Sequence, residues 1–162
     1  MAHPDKNVPS KPEAFSASDA TLQRFIGYHM KRAFNVVQAD LTAALKPFDL
    51  RMLTYSALVL IVDNPGLSQS QLAAAMDVER PNLVVIVDEL EQRALITRTR
   101  VPTDRRAYAL HATLRGQQLF KRAVAAVTAH ERALFRGIDA QTQSTMIAAL
   151  QLIQTRGGKG QG

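Results

Sequence analysis

Residues 67–111 read LSQSQLAAAMDVERPNLVVIVDELEQRALITRTRVPTDRRAYALH, and the order of patterns in that stretch decides the fold. Ser68-Gln69-Ser70-Gln71 has the spacing of a capping box: the Ser68 hydroxyl takes the Gln71 amide and the Gln71 side chain reaches back. It predicts a short helix ending near Met76, with Asp77-Val78 as a turn. A second helix is predicted from Glu79 or Arg80, with Pro81 in the first turn, where a missing amide costs little. Leu83, Ile86, Val87 and Leu90 recur at helical spacing and mark its buried face. Ile96 to Val101 alternates with Thr and Arg, the period of a strand. Pro102 to Arg106 is the expected turn, and Ala107 to Ala112 the return strand, with Tyr108 and Leu110 on one face.

The flanks supply longer helices. Ser18 or Asp19 can cap a first helix whose apolar positions run from Leu22 to Leu45 and which Pro47 stops. It is apolar on more than one side, as a helix buried beyond its own subunit would be. Leu50 to Asp63 suggests another helix, and Asn64-Pro65-Gly66 breaks it. Thr113 caps a long helix carrying Leu119, Phe120, Ala123, Val124 and Val127; Gly137 ends it, and Asp139 caps a last one. The expected class is mainly α with a small β-hairpin wing, a winged helix-turn-helix dimerising through its N- and C-terminal helices. The expected division is a flexible tail over 1–17, a helical dimerisation region over 18–50 and 113–156, a winged helix-turn-helix lobe over 51–112, and a flexible tail over 157–162.

Composition narrows the function. The chain has 162 residues, 46% of them hydrophobic, and no cysteine. Disulfides, zinc–thiolate fingers and cysteine redox sensing are excluded. No apolar run approaches the ~20 residues of a membrane helix, and the polar, Pro/Ser-rich start lacks the apolar centre of a secretory signal, so a cytoplasmic protein is expected. Net charge is +6, unevenly placed: between Gln92 and His130 eight Lys/Arg face a single acid, Asp104, a local +7. A merely solvated basic face would show the same count. On a hairpin that follows a helix pair, however, the block has the placement of a phosphate-facing surface.

A major groove admits one helix, and side chains on its outer face read base edges. Here Arg80 can reach guanine or a phosphate, and Asn82 an adenine edge. Val84 and Val85 can touch only apolar groups such as thymine methyls, unless both belong to the core. The acids Asp88, Glu89 and Glu91 should point away from phosphate. An arginine at a hairpin tip can enter the narrow minor groove, and Asp104 can hold a neighbouring guanidinium in a fixed fork. Arg98, Arg100 and Arg115 would add salt-sensitive phosphate contacts. The expected DNA-contact set is Ser68, Gln69, Arg80, Pro81, Asn82, Val84, Val85, Arg98, Arg100, Asp104, Arg105 and Arg106.

Leu-Ala-x-x-Met-Asp-Val-Glu-Arg-Pro-Asn-Leu-Val over 72–84, Asp-Glu-Leu-Glu-Gln-Arg-Ala-Leu-Ile over 88–96, Asp104-Arg105-Arg106 and Thr113-x-x-Gly116 together resemble the MarR family, the multiple-antibiotic-resistance-type regulators of bacteria. The resemblance spans about residues 20–155. It implies a homodimer that binds a pseudo-palindromic operator in double-stranded DNA, usually as a repressor, and lets go when a small, often aromatic, ligand binds. It makes Arg106 the wing arginine that enters the minor groove and Asp104 the acid that orients it. Val84 and Val85 stand where many relatives carry a polar or basic pair, so the operator sequence does not transfer.

On the first helix, Arg32 could pair with an anionic ligand, and Tyr28 and His29 could orient a phenol. Phe48, Met52 and Tyr55 could line an apolar cleft; all six could equally be interface or core. The segment Gly27 to Arg32 is similar to that of regulators answering to aromatic acids or their coenzyme A thioesters. No cofactor or metal is expected. The four histidines have no metal spacing, and neither a phosphate-binding glycine loop nor a nucleophile–base pair is present, so an enzyme is not expected. The alternative left open is a DNA-binding protein without an effector, or one controlled by a protein partner.

Overall fold

The structure is a computed structural model that describes residues 17–101 and 104–157; within the second span, the side chains of 104–107 and 157 are outside the description. Among these described residues, six α-helices, α1 (Ile26–Leu45), α2 (Met52–Asp63), α3 (Gln69–Met76), α4 (Arg80–Gln92), α5 (Leu114–Leu134) and α6 (Ala140–Gly157), accompany three strands, β1 (Leu67–Ser68), β2 (Ile96–Val101) and β3 (Asp104–Ala112). The expected mainly helical class with a small wing is what the chain adopts. Contacts divide it into two units, one ending at Val36 and the other beginning at Val37.

In the first unit, regular helix begins later than the sequence suggests. Leu22–Arg24 form a 3₁₀ turn, Phe25 is extended, and α1 starts at Ile26. Asp19 caps nothing here; its carboxylate accepts from the side chains of Gln23 and Tyr28. Leu22, Phe25, Ile26, Met30, Phe34 and Val36 are all exposed.

The second unit holds the core. Leu58 and Ile61 of α2, Leu72 of α3, Leu83, Val87 and Leu90 of α4, Leu110 of β3 and Ala123 of α5 are buried together. The capping box forms as its spacing requires, with Ser68 Oγ 3.2 Å from the Gln71 amide and Gln71 Oε1 2.9 Å from the Ser68 amide. Asp77 turns the chain into α4 in the left-handed region (φ 51°), where a short polar side chain is tolerated. The antiparallel sheet runs β1-β3-β2. β1 pairs Leu67 with Leu110 and Ser68 with Ala109; two residues are too few to show a strand period, so only the tertiary pairing reveals it. β3 begins at Asp104, earlier than the expected Ala107, after an irregularity between Arg100 and Val101.

The hairpin hangs from α5 by a close junction. Thr113 Oγ1 donates to the Ala94 carbonyl at 2.8 Å and accepts from the Gly116 amide at 3.0 Å, capping α5 onto the end of the α4–β2 turn. Ala94 makes that turn at φ 54°. A Cβ on Gly116 would lie 2.0 Å from the Leu95 carbonyl oxygen. Helix propensity favours alanine over glycine by about 1 kcal/mol, but the overlap forces backbone to move. Gly116→Ala is therefore expected to lower stability by about 2 kcal/mol net, read as a fall in the urea midpoint. A rise would show that the α5–β2 approach is looser than described.

Candidate nucleic-acid interface

α4 presents two faces. Leu83, Ile86, Val87 and Leu90 are buried, the stripe expected from the sequence. Arg80, Pro81 and Asn82 are exposed, and Val84 and Val85 are exposed by 43% and 62%. Two β-branched apolar residues thus stand in solvent on a helix whose buried stripe is already filled, which calls for a partner surface. Ser68 and Gln69 sit half-buried at the start of α3, with the Ser68 hydroxyl committed to its cap.

The acids of α4 are all matched. Arg98 of β2 forms an ion pair with Asp88 and brings Nε within 2.9 Å of Glu91 Oε2. That Nε is buried and out of line for a hydrogen bond, so its contact with Glu91 is one of charge alone. Glu89 takes Arg51, the residue preceding α2, at 2.6 Å and Arg93 at 3.7 Å. The Thr54 hydroxyl, fully buried, lies 3.5 Å from both Glu89 oxygens. Arg93 also donates to the carbonyls of Asp49 and Phe48, at 2.6 and 3.0 Å. Two of the eight cations in the basic block, Arg93 and Arg98, are therefore turned inward. Arg98, expected on phosphate, ties the hairpin to α4 instead. Arg100 and Arg115 are exposed. The side chains of Asp104, Arg105 and Arg106 lie outside the described residues.

The residues nominated for a ligand are divided between the two units. In the first unit, the Tyr28 hydroxyl donates to Asp19 at 2.5 Å and accepts from Arg32 at 3.1 Å, while His29 Nε2 lies 2.8 Å from the Gln23 carbonyl. Tyr28, then Gln23, hold the Asp19 carboxyl below its usual range. His29 and Arg32 share one shallow depression on α1. In the second unit, Phe48 and Tyr55 pack against the core, and burial pushes the Tyr55 hydroxyl above its ordinary value, with Glu131 and Asp63 adding to the shift. Met52 lines a cavity of about 580 Å³ together with Gln38, Thr42, Leu50, Arg51, Leu53, Thr54, Asn82, Val85 and Ile86. Sequence reading missed most of these walls. They come from three separated segments, and neither Arg51 nor Glu89 belongs to a pattern that announces their pairing.

The sequence pattern of the MarR family matches residues 48–107. A Thauera aromatica protein described as a transcriptional regulator for the hcr operon is 36% identical over 134 residues, 78% of this chain and 76% of that protein. The chain belongs to the MarR family. Two solved structures are similar throughout. The repressor CouR on a 23-mer DNA duplex is 32% identical with a TM-score of 0.82, over 86% of this chain and 99% of that one. CouR from Rhodococcus jostii RHA1 bound to p-coumaroyl-CoA is 37% identical with a TM-score of 0.75, over 82% and 93%. The MarR-family chain is thus a transcriptional regulator and not an enzyme.

In this MarR-family fold the Arg98 pair joins wing to helix, and its strength is measurable. The Arg98 side chain is 21% exposed but its carboxylate partners 43% each, so solvent screening holds the coupling to about 1 kcal/mol. A double-mutant cycle on Arg98→Met and Asp88→Ala, read by urea unfolding, should return that coupling. Strict additivity would mean that the pair fixes nothing.

Proposed function

We propose that this MarR-family regulator is a homodimeric DNA-binding repressor, released from its operator by an aromatic acid or its coenzyme A thioester. The observation that carries the reading is the exposed edge of α4, where Arg80, Asn82, Val84 and Val85 point outward while every acid of the helix is neutralised from behind. Such a face can enter a major groove without bringing Asp88, Glu89 or Glu91 unmatched toward phosphate. Exposed Arg100, with Arg105 and Arg106 on the wing, supplies cations beside it, and the relative bound to a DNA duplex supports the same use.

Dimerisation is supported by α6, which leaves Met146, Ile147, Leu150, Leu152 and Ile153 exposed by 42–59%. The early turns of α1 are similarly apolar and exposed. Patches of this kind mark protein interfaces. The effector reading rests on the cavity at Met52 and on the p-coumaroyl-CoA complex of a relative. The reading places the protein in the cytoplasm; no helix among the described residues is long and apolar enough to cross a membrane.

Selection from a random duplex library should yield a pseudo-palindrome with half-sites about one helical turn apart. On that duplex, Arg106→Ala should weaken binding by roughly 30-fold per half-site, the ~2 kcal/mol of a good base-directed contact from each protomer, or about 900-fold for the dimer, with the dimer intact by sedimentation. Unchanged binding at physiological salt would remove the wing from the interface. Arg100→Met should reduce the slope of log K against log salt by about 2, as loss of one phosphate contact from each protomer does. Arg98→Met should weaken binding with the slope unchanged, because its guanidinium faces carboxylates. A slope change for Arg98→Met would return that residue to phosphate.

A further inference from the structure

The cavity at the start of α2 is lined on one side by the same helix face that carries the reading residues. Asn82 and Val85 form part of its wall, and Glu89 follows Asn82 by seven residues and Val85 by four, on the same side of α4. The remaining walls are apolar or uncharged, with one exception. Among the described residues that line it, Arg51 is the only charged one. A ligand that fits must therefore be largely apolar and can gain by placing one anionic group at Arg51. That guanidinium is already engaged with Glu89 at 2.6 Å, in a pair whose arginine is 74% exposed and whose carboxylate is 28% exposed. An exposed pair of this kind is weak and easily exchanged.

Resting on the ligand-responsive reading above, we propose that the anionic group of the ligand takes Arg51 from Glu89, and that this exchange of ion-pair partners carries cavity occupancy to the reading face of α4. Once Arg51 turns to the ligand, Glu89 keeps only Arg93, at 3.7 Å, and the long Thr54 contacts. A half-buried carboxylate then faces a ligand anion of like charge across a cavity wall. Moving α4 away from the start of α2 relieves the repulsion. Asn82 and Val85 move with it, and so does the hairpin, because Arg98 fastens β2 to Asp88 and Glu91. A ligand shifts an equilibrium only through differential interaction with its two states. Here the difference is the anion: a neutral molecule of the same shape fills the cavity in both states alike and leaves α4 where it is.

The test measures, for the full-length protein, the ratio of duplex affinities without and with ligand, so that baseline changes cancel. The duplex is the one selected from the random library. The probes are p-coumaroyl-CoA, free p-coumarate and its neutral methyl ester, with probe binding followed separately by calorimetry. For the wild type, at least one anionic probe should weaken duplex binding by about 10-fold, an ordinary allosteric coupling. Which probe succeeds tells whether a carboxylate or the coenzyme A phosphates supply the anion. The methyl ester should bind with a ratio near one. Glu89→Gln should bind the active probe while its ratio falls below about 3-fold. Arg51→Met, at an exposed position, should bind that probe about 10-fold more weakly and also lose the coupling. If Glu89→Gln melts far below the wild type, Arg51→Met decides alone. Full release of either folded, probe-bound variant, or release of the wild type by the methyl ester, overturns the exchange and leaves the ligand-responsive reading standing. If no probe binds the wild type, that reading falls and takes the exchange with it.

Discussion

The constraint on which the rest of the second unit depends is the neutralisation of the acidic half of α4. Asp88, Glu89 and Glu91 sit near the C-terminal end of a helix, where the peptide dipoles already concentrate negative charge. Left unmatched they would destabilise that end and repel any polyanion brought to its beginning. The structure matches them with arginines from three places: Arg51 before α2, Arg93 at the end of α4 itself, and Arg98 on β2. Each pairing also sets a position. Arg51 holds α4 to the start of α2, Arg93 ties it to the carbonyls of Phe48 and Asp49, and Arg98 brings the hairpin alongside. What remains exposed on the first two turns of α4 is their outer edge, Arg80, Pro81, Asn82, Val84 and Val85.

The elements that could be read from the sequence are those whose signals are local. Leu83, Ile86, Val87 and Leu90 repeat within one helix, and the Ser68–Gln71 box lies within one turn, so their placement follows from spacing alone. Thr113-x-x-Gly116 could be recognised as a motif, but its reason, the Leu95 carbonyl under Gly116, is visible only in three dimensions. β1 was not legible because two residues cannot alternate. Charge patterning misled at Arg98 for a similar reason. A run of cations along the sequence shows how many there are, but not which ones neighbouring helices neutralise. The late start of α1 had the same origin: Asp19 is a good cap by composition, yet it holds two side chains and Phe25 stays extended.

The candidate ligand residues divide along the same line. Tyr28, His29 and Arg32 lie within one stretch of α1 and do form a local cluster, knitted through Asp19 and Gln23. Phe48, Met52 and Tyr55 looked equivalent as apolar residues near a helix start. Only the fold separates them, sending Phe48 and Tyr55 to the core and Met52 to the cavity. Helical spacing alone would put Met52 and Tyr55, three positions apart, on neighbouring faces; it is the surrounding segments that make one a cavity wall and the other a core residue.

Asn82 and Val85 belong to two surfaces at once, the cavity wall and the exposed edge of α4. On the proposed reading this sharing has a thermodynamic consequence that holds whatever the detailed motion. If occupancy of the cavity changes how these two side chains meet DNA, then DNA must change the affinity of the cavity for its ligand by the same factor. A wall built from residues with no second role could be optimised for a ligand alone. A wall built from Asn82 and Val85 cannot, because any substitution there alters both affinities. Val85 fits that double demand: it offers an aromatic ligand or a thymine methyl the same apolar contact and carries no hydrogen-bonding group that either partner would leave unmatched.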